Sequence, residues 1–189
     1  QQSIVNSLDA DVDMIIHCSF TQPDGTAMYD PVIGQRIVSS GIWVNPTLYV
    51  GRAPIEKLQE RKREVGLTPE EERALEFGLR RIEASTEVCR QLMLAGARIA
   101  AGSDSGWRDY RFGWFHRELA ALTDAGFSDA QALIAGTRDA ADALGVLDTV
   151  GTVEPGKEAD LLLVDGDPTR DINALANVVA VFKGGERAF

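Results

Sequence analysis

The sequence predicts an α/β fold with a parallel sheet and a small appended sheet, and three observations carry that prediction. Short apolar runs at residues 13–20, 42–50 and 98–103 alternate with stretches of helical periodicity. The helical stretches begin at capping residues and stop at glycines, as at Thr68 and Gly96. After Gly145 the composition changes to turn residues and short alternating strands. With 189 residues, 44% of them hydrophobic, the chain can bury one well-packed core.

Gln1 to Leu8 reads as the tail of an amphipathic helix, with Ile4, Val5 and Leu8 on one side. The chain therefore opens in mid-pattern, and an earlier segment, which would carry any targeting signal, is expected. Asp13 to Phe20 reads as the first strand. His17 lies near its C-terminal end and, by strand alternation, shares a face with Ile15 and Ser19, while Cys18 points into the helical layer. Residues 21–30 read as loop. Pro31 to Ser40 reads as a short helix closed at Gly41, and Ile42 to Val50 as a second strand interrupted by Pro46. Residues 51–67 form a charged, partly helical connection. Thr68, Pro69 and Glu71 then start a helix of about seven turns that delivers the chain into the third strand.

The third strand ends in Gly102-Ser-Asp-Ser-Gly106, small residues around one carboxylate. Reactive groups in parallel α/β folds sit just past the carboxyl ends of strands, which makes Asp104 a candidate for chemistry. Capping of the following turn is the competing reading. His17 is likewise a ligand or a satisfied structural histidine. Asn45, Thr47 and Tyr49 face a pocket or form a turn. The loop from Trp107 to Trp114 is aromatic and charged, either a substrate lid or a packed loop. Helices are expected from Phe115 to Ala125 and from Ser128 to Gly145, with His116 at the start of the first, as a packing residue or a ligand. A turn at Glu154 to Lys157, strands at residues 159–164 and 178–183 and a short helical stretch at residues 172–175 complete the chain.

A formal net charge of −10 argues against nucleic-acid and anionic-membrane partners, since phosphate binding needs clustered Lys and Arg. The one compact cationic run, Arg61-Lys-Arg63, is flanked by Glu60 and Glu64 and reads as a solvated helix face. Cys18 and Cys89 fit neither a disulfide framework nor a close metal pair, and both read as reduced and buried. No apolar run is long enough to cross a bilayer and residues 1–20 lack a signal-peptide pattern, so a cytoplasmic location is the expectation.

Five segments carry a resemblance: Val12-Asp-Met-Ile-Ile-His17, Gly41-Ile-Trp-Val-Asn-Pro-Thr-Leu48, Ala101-Gly-Ser-Asp-Ser105, His116-Arg-Glu-Leu119, and Gly151-Thr-Val-Glu-Pro-Gly-Lys-Glu-Ala-Asp-Leu161. In order and spacing they resemble the C-terminal half of an amidohydrolase superfamily enzyme, in the branch holding imidazolonepropionase-like and prolidase-like members. The resemblance implies a C-terminal part of a (β/α)8 TIM barrel, with strands equivalent to the sixth, seventh and eighth, over residues 1–148. Residues 149–189 would then be strands of a small composite β-sandwich domain.

It also implies a hydrolase of C–N bonds in amides, cyclic amides, ureas or dipeptide-like small molecules. Asp104 would contact the metal and take a proton from the attacking water. His17 would bind a second metal in binuclear members or orient substrate in mononuclear ones. The implied cofactor is one or two divalent ions, zinc being the expected metal. Tyr49, Trp107, Arg108, Arg111 and His116 are candidates for substrate binding, with Arg108 or Arg111 placed to pair with a substrate carboxylate.

Members of this family also carry a His-x-His pair on the first strand, often a carboxylated lysine on the fourth and a histidine on the fifth, and none of these lies in this sequence. A zinc site needs three or four protein ligands and a full barrel about 250 residues. The chain is therefore expected to be inactive alone and to need an N-terminal half, or another chain, over its open sheet edges. A non-catalytic half-barrel that assembles with a partner chain or with itself is the alternative.

Overall fold

The computed structural model describes every residue except Asp24 and Arg108. Helix α1 (Gln2–Asp9) leads into β1 (Met14–Ile16), and α2 (Pro31–Ser40) connects β1 to β2 (Trp43–Asn45). Helices α3 (Tyr49–Glu64) and α4 (Pro69–Ala95) precede β3 (Arg98–Ile99), after which come α5 (Phe115–Asp124), α6 (Asp129–Ala135) and α7 (Arg138–Ala143). The three strands pair in parallel in the order β1-β2-β3. A second, antiparallel sheet has the order β4 (Leu161–Val164), β5 (Val178–Lys183), β6 (Glu186–Arg187), with a 3-10 turn at Ile172–Ala176 between β4 and β5.

Register explains where the core sits. Ile15 aligns with Val44, and Val44 with Ile99, so one face of the parallel sheet is a row of branched aliphatics. All three lie in the main core with Ile33, Ile37, Val88, Leu92, Leu119 and Leu122 from the surrounding helices. Ile172 and Leu175 join the same core, which ties the 3-10 turn to the helical layer. Each such side chain contributes roughly 1.5–3 kcal/mol of apolar burial. The opposite face carries Met14, Ile16, Trp43, Asn45 and Arg98, and Ile16 is 54% exposed there. In the second sheet Leu162 and Leu163 are half exposed and Phe189 is exposed.

Local chemistry fixes several elements as predicted. Asp30 accepts from the N–H groups of Val32 and Ile33 to start α2, and Pro31 occupies its first position. Thr68 and Glu71 form a reciprocal capping box at α4, which runs to Gly96. Cys18 and Cys89 are free and buried, and burial pushes each thiol up to about 12. Among the described residues no helix is long and apolar enough to cross a membrane.

Several elements depart from the prediction, among them β3, which stops at Ile99 rather than at residue 103. β1 stops at Ile16 rather than Phe20, because His17 adopts a left-handed φ of 58°. β2 stops at Asn45, and a full helix starts at Tyr49 where strand and partly helical connection were expected. Pro46 has no N–H for the ladder, and the N–H groups of Leu48 and Tyr49 are taken by the Glu118 carboxylate at 2.8 and 2.6 Å. The helix expected over Ser128 to Gly145 is broken between Ala135 and Arg138, where the Ala135 carbonyl accepts from Ala101 N–H at 2.8 Å. Finally, Gly184 and Gly185, both with positive φ, turn β5 back into β6, a hairpin the sequence reading ended at the glycines.

Candidate functional site

Three strand ends converge at the carboxyl edge of the parallel sheet. His17 N–H donates to Asn45 O at 3.0 Å, the last bond between the first two strands. The left-handed turn at His17 then carries the imidazole outward, so Ile16 and His17 are both exposed while Ile15 and Cys18 are buried. The expected sharing of a face by Ile15 and His17 is thus replaced by a local break in alternation. His17 Nδ1 lies 2.5 Å from Thr47 Oγ1. His17 Nε2 lies 4.0 Å from Asp104 Oδ2, and both side chains are about half exposed, at 55% and 44%.

Asp104 leaves the third strand through a tight loop, with Trp107 N–H donating to Asp104 O at 3.2 Å and Gly106 N–H to Tyr110 O at 2.8 Å. The backbone at Gly102 runs so close to Asn45 that a Cβ there would sit 2.1 Å from its amide nitrogen. Asn45 Oδ1 is buried with no hydrogen-bond partner. Among the described residues the non-glycine ones with positive φ are Asp11, His17, Phe20 and Thr47, and His17 and Thr47 lie within two residues of these strand ends. For Thr47, which is β-branched, the conformation is a true outlier, worth roughly 1–3 kcal/mol of strain of a kind that concentrates at functional sites.

The support beneath this edge comes from Glu118 on α5, which is fully buried. Its carboxylate takes the first two orphan N–H groups of α3 and so fixes the turn that contains Thr47. Burial pushes the Glu118 carboxyl up to about 7, against the pull of the Tyr49 and Leu48 N–H groups and of Arg52. Sequence reasoning missed its role. The available signal was a carboxylate in the apolar stripe Phe115, Leu119, Leu122 of an otherwise amphipathic helix.

Tyr49 and His116 lie apart from the His17–Asp104 pair. Tyr49 is buried edge-on against Tyr110, with ring centroids 4.9 Å apart, and its hydroxyl donates to Glu56 at 2.7 Å and accepts from Arg117 at 2.9 Å. Tyr49 and His116 line a cavity of about 450 Å³ with Arg52, Glu56 and Arg117, and neither His17 nor Asp104 takes part in it. Burial, then Arg117, lowers the His116 pKa against a hydrogen bond to the Gly113 backbone. Trp107 is exposed, and the Arg111 guanidinium sits 5.0 Å over the Trp114 ring. Arg108 lies outside the described residues. A larger cavity of about 660 Å³, lined by Asp13, Trp43, Arg98 and Gly145 among others, is at the amino ends of the strands, away from this edge.

An imidazole and a carboxylate that approach each other from the ends of the two outer strands, across β2, are suitable donors for a divalent ion. Among the described residues no group of three or more His, Cys, Asp or Glu side chains is placed to hold one. The pair supplies two of the three or four protein donors that a zinc site takes.

No curated protein matches the sequence. Solved structures do. A Xaa-Pro dipeptidase is 26% identical with a TM-score of 0.75, aligned over 98% of this chain and 42% of its own. A protein from Bifidobacterium longum assigned as a prolidase is 30% identical with a TM-score of 0.79, aligned over 100% of this chain and 44% of its own. Molinate hydrolase, 20% identical with a TM-score of 0.72 and aligned over 98% of this chain and 40% of its own, shares the fold. This chain thus spans less than half the length of each of these proteins. The amidohydrolase family model matches residues 16–188, from the end of β1 through His17 and Asp104 to the last strand, and the chain belongs to the amidohydrolase family.

Proposed function

We propose that this chain contributes His17 and Asp104 to the centre of a metal-dependent hydrolase of C–N bonds, and that the rest of the centre lies on an N-terminal half. The observation that carries this reading is the 4.0 Å approach of His17 Nε2 to Asp104 Oδ2 at the carboxyl ends of parallel strands. In it, β1, β2 and β3 are strands six to eight of a (β/α)8 barrel over residues 1–148. Residues 149–189 are strands of a composite sheet whose other strands come from the N-terminal half. The exposure of Ile16, Leu162 and Leu163 supports this, since each is an apolar surface awaiting cover.

A bound divalent ion, with zinc the expected one, lowers the pKa of its water to roughly 7 and so supplies hydroxide near neutral pH. His17 is a ligand or substrate-orienting group through its exposed Nε2. Asp104 accepts the proton of the attacking water and delivers it to the departing nitrogen, the same carboxyl acting first as base and then as acid. The hydrolysed bond is an amide of a dipeptide-like small molecule, a choice supported by the two relatives of 26% and 30% identity, a Xaa-Pro dipeptidase and a protein assigned as a prolidase. Trp107 and Arg111, both exposed beyond Asp104, are candidates for substrate contact.

The test is hydrolysis of Xaa-Pro dipeptides by the longer protein with wild-type, His17→Gln and Asp104→Asn sequences, together with its metal content. Loss of hydrolysis in both variants, with metal content lowered in at least one, is expected. Retained hydrolysis in Asp104→Asn would remove this reading and favour the non-catalytic half-barrel, for which the same exposed apolar surfaces would be the assembly interface.

A further inference from the structure

We propose that Thr47 is a positioning residue that fixes His17 as its Nδ1–H tautomer, leaving the Nε2 lone pair directed toward Asp104, and that Glu118 anchors Thr47 for this task. The inference rests on the reading of His17 as a site residue.

The argument is a proton count. A threonine hydroxyl has one hydrogen to donate and lone pairs with which to accept. The Thr47 hydroxyl donates its hydrogen to the Pro46 carbonyl at 2.8 Å. The same hydroxyl stands 2.5 Å from His17 Nδ1, and because the carbonyl can only accept, both contacts are hydrogen bonds together only when the hydroxyl accepts from an Nδ1–H. A neutral imidazole has one N–H, so the arrangement that satisfies both contacts puts the proton on Nδ1 and leaves Nε2 bare. In the opposite tautomer the hydroxyl would have to turn its hydrogen to Nδ1, setting its own lone pairs against the Pro46 carbonyl oxygen. The 4.0 Å gap from Nε2 to Asp104 Oδ2 agrees, because it is longer than the hydrogen bond an Nε2–H would make to a carboxylate. Two lone-pair donors thus face a common space with no proton between them, which suits an electron-pair acceptor such as a divalent ion.

Holding the hydroxyl in that place requires the Thr47 backbone at a φ of 47°, a conformation a β-branched residue does not adopt unaided. The constraint comes from both sides. Pro46 offers its carbonyl to the Thr47 hydroxyl, and Glu118 clamps the next two N–H groups, of Leu48 and Tyr49. Thr47 itself is 5% exposed, so its hydroxyl has little access to water as a substitute partner. A buried carboxylate reaching from α5 to a backbone turn, a strained threonine and an outward histidine thus form one chain of contacts from the core to the strand edge.

The decisive measurement is the tautomer of His17 in the metal-free longer protein, read from the nitrogen resonances of the 15N-labelled ring, with the signal assigned by its loss in His17→Gln. The wild-type protein is expected to show Nδ1–H with a bare Nε2, and Thr47→Ser to keep it. Thr47→Val, of similar shape without the hydroxyl, is expected to populate the Nε2–H form and weaken metal binding by about 10–100-fold. Glu118→Gln is expected to move the ring signals in the same direction to a smaller extent. An Nε2–H signal in the wild type overturns the proposal even if Thr47→Val does not fold, and so does an unchanged ring signal in a folded Thr47→Val. Because no substrate or metal is present, the ring signal is read independently of hydrolysis. An Nδ1–H His17 in a protein that cleaves no amide would overturn the proposed function while this inference stood.

Discussion

The two faces of the parallel sheet differ in completeness. On one, Ile15, Val44 and Ile99 are sealed under helices, with Ile37 and Leu122 wholly buried beneath them. On the other, Ile16 stands 54% exposed beside Asn45, whose buried carbonyl oxygen has no partner. The lesson is a division of labour along one strand: alternate residues hold the chain together, while the others, with the strand ends, are left open. His17 and Asp104 sit where the two faces meet, at the edge.

The comparison is sharpened first by substituting at that edge. Asp104→Asn in the longer protein is expected to lower hydrolysis by about 10²–10⁴-fold, the usual contribution of a positioned acid–base group. Its unfolding free energy is expected to stay within about 0.5 kcal/mol of wild type, since the side chain is half exposed. Urea titration beside the kinetic assay checks both.

The sealed face should carry the stability. Ile37→Ala removes a side chain with no exposure and is expected to cost about 2–5 kcal/mol in urea unfolding. In this chain alone Ile16→Ala should cost less than about 0.5 kcal/mol, rising toward the Ile37 value in the longer protein if the open face is covered there. Equal effects of Ile16→Ala in both settings would show that nothing packs on that face.

Glu118 makes the sealed side sensitive to pH. Burial raises its folded pKa from the ordinary 4.5 to about 7, so between those values the folded state binds a proton more tightly than the unfolded chain. This contribution is fully present below pH 4.5, falls as pH rises and is gone above about 7, a change on the order of 3 kcal/mol. Glu118→Gln should flatten that slope in unfolding curves recorded from pH 5 to 8, at a cost of about 1–3 kcal/mol for the backbone N–H that loses its acceptor.

A smaller effect than at Ile37 or Glu118 is expected at Gly102→Ala. Its Cβ would fall 2.1 Å from the Asn45 amide nitrogen, and moving Asn45 should cost about 1–2 kcal/mol in thermal unfolding while disturbing metal uptake. An unchanged melting temperature would show that Asn45 swings away freely.

Much of the fold was readable because its signals are local. The bounds of α2 follow from Asp30, Pro31 and Gly41, and those of α4 from the Thr68–Glu71 box and Gly96, all within one turn of the helix end. The start of α3 was not readable, because its cap is Glu118, some 70 residues away in sequence. The strand ends were read too long for a related reason: positive φ at His17 and Thr47 is imposed by tertiary contacts, and neither residue type announces it. For the candidate site, the small-residue setting of Asp104 and the strand-end position of His17 marked both residues, whereas their approach and the hydroxyl of Thr47 between strands depend on register. Tyr49 was read on a strand and heads a helix instead, which turns its hydroxyl toward Glu56 and Arg117.

The most direct test of the central claim, that this chain carries part of a metal-hydrolase centre, is the metal content and amide hydrolysis of the purified chain before and after it is joined to the N-terminal half proposed here. Substoichiometric zinc and no hydrolysis are expected for the chain alone, with both gained on joining and both lost again in His17→Gln. Joining that restores neither metal nor hydrolysis would contradict the account.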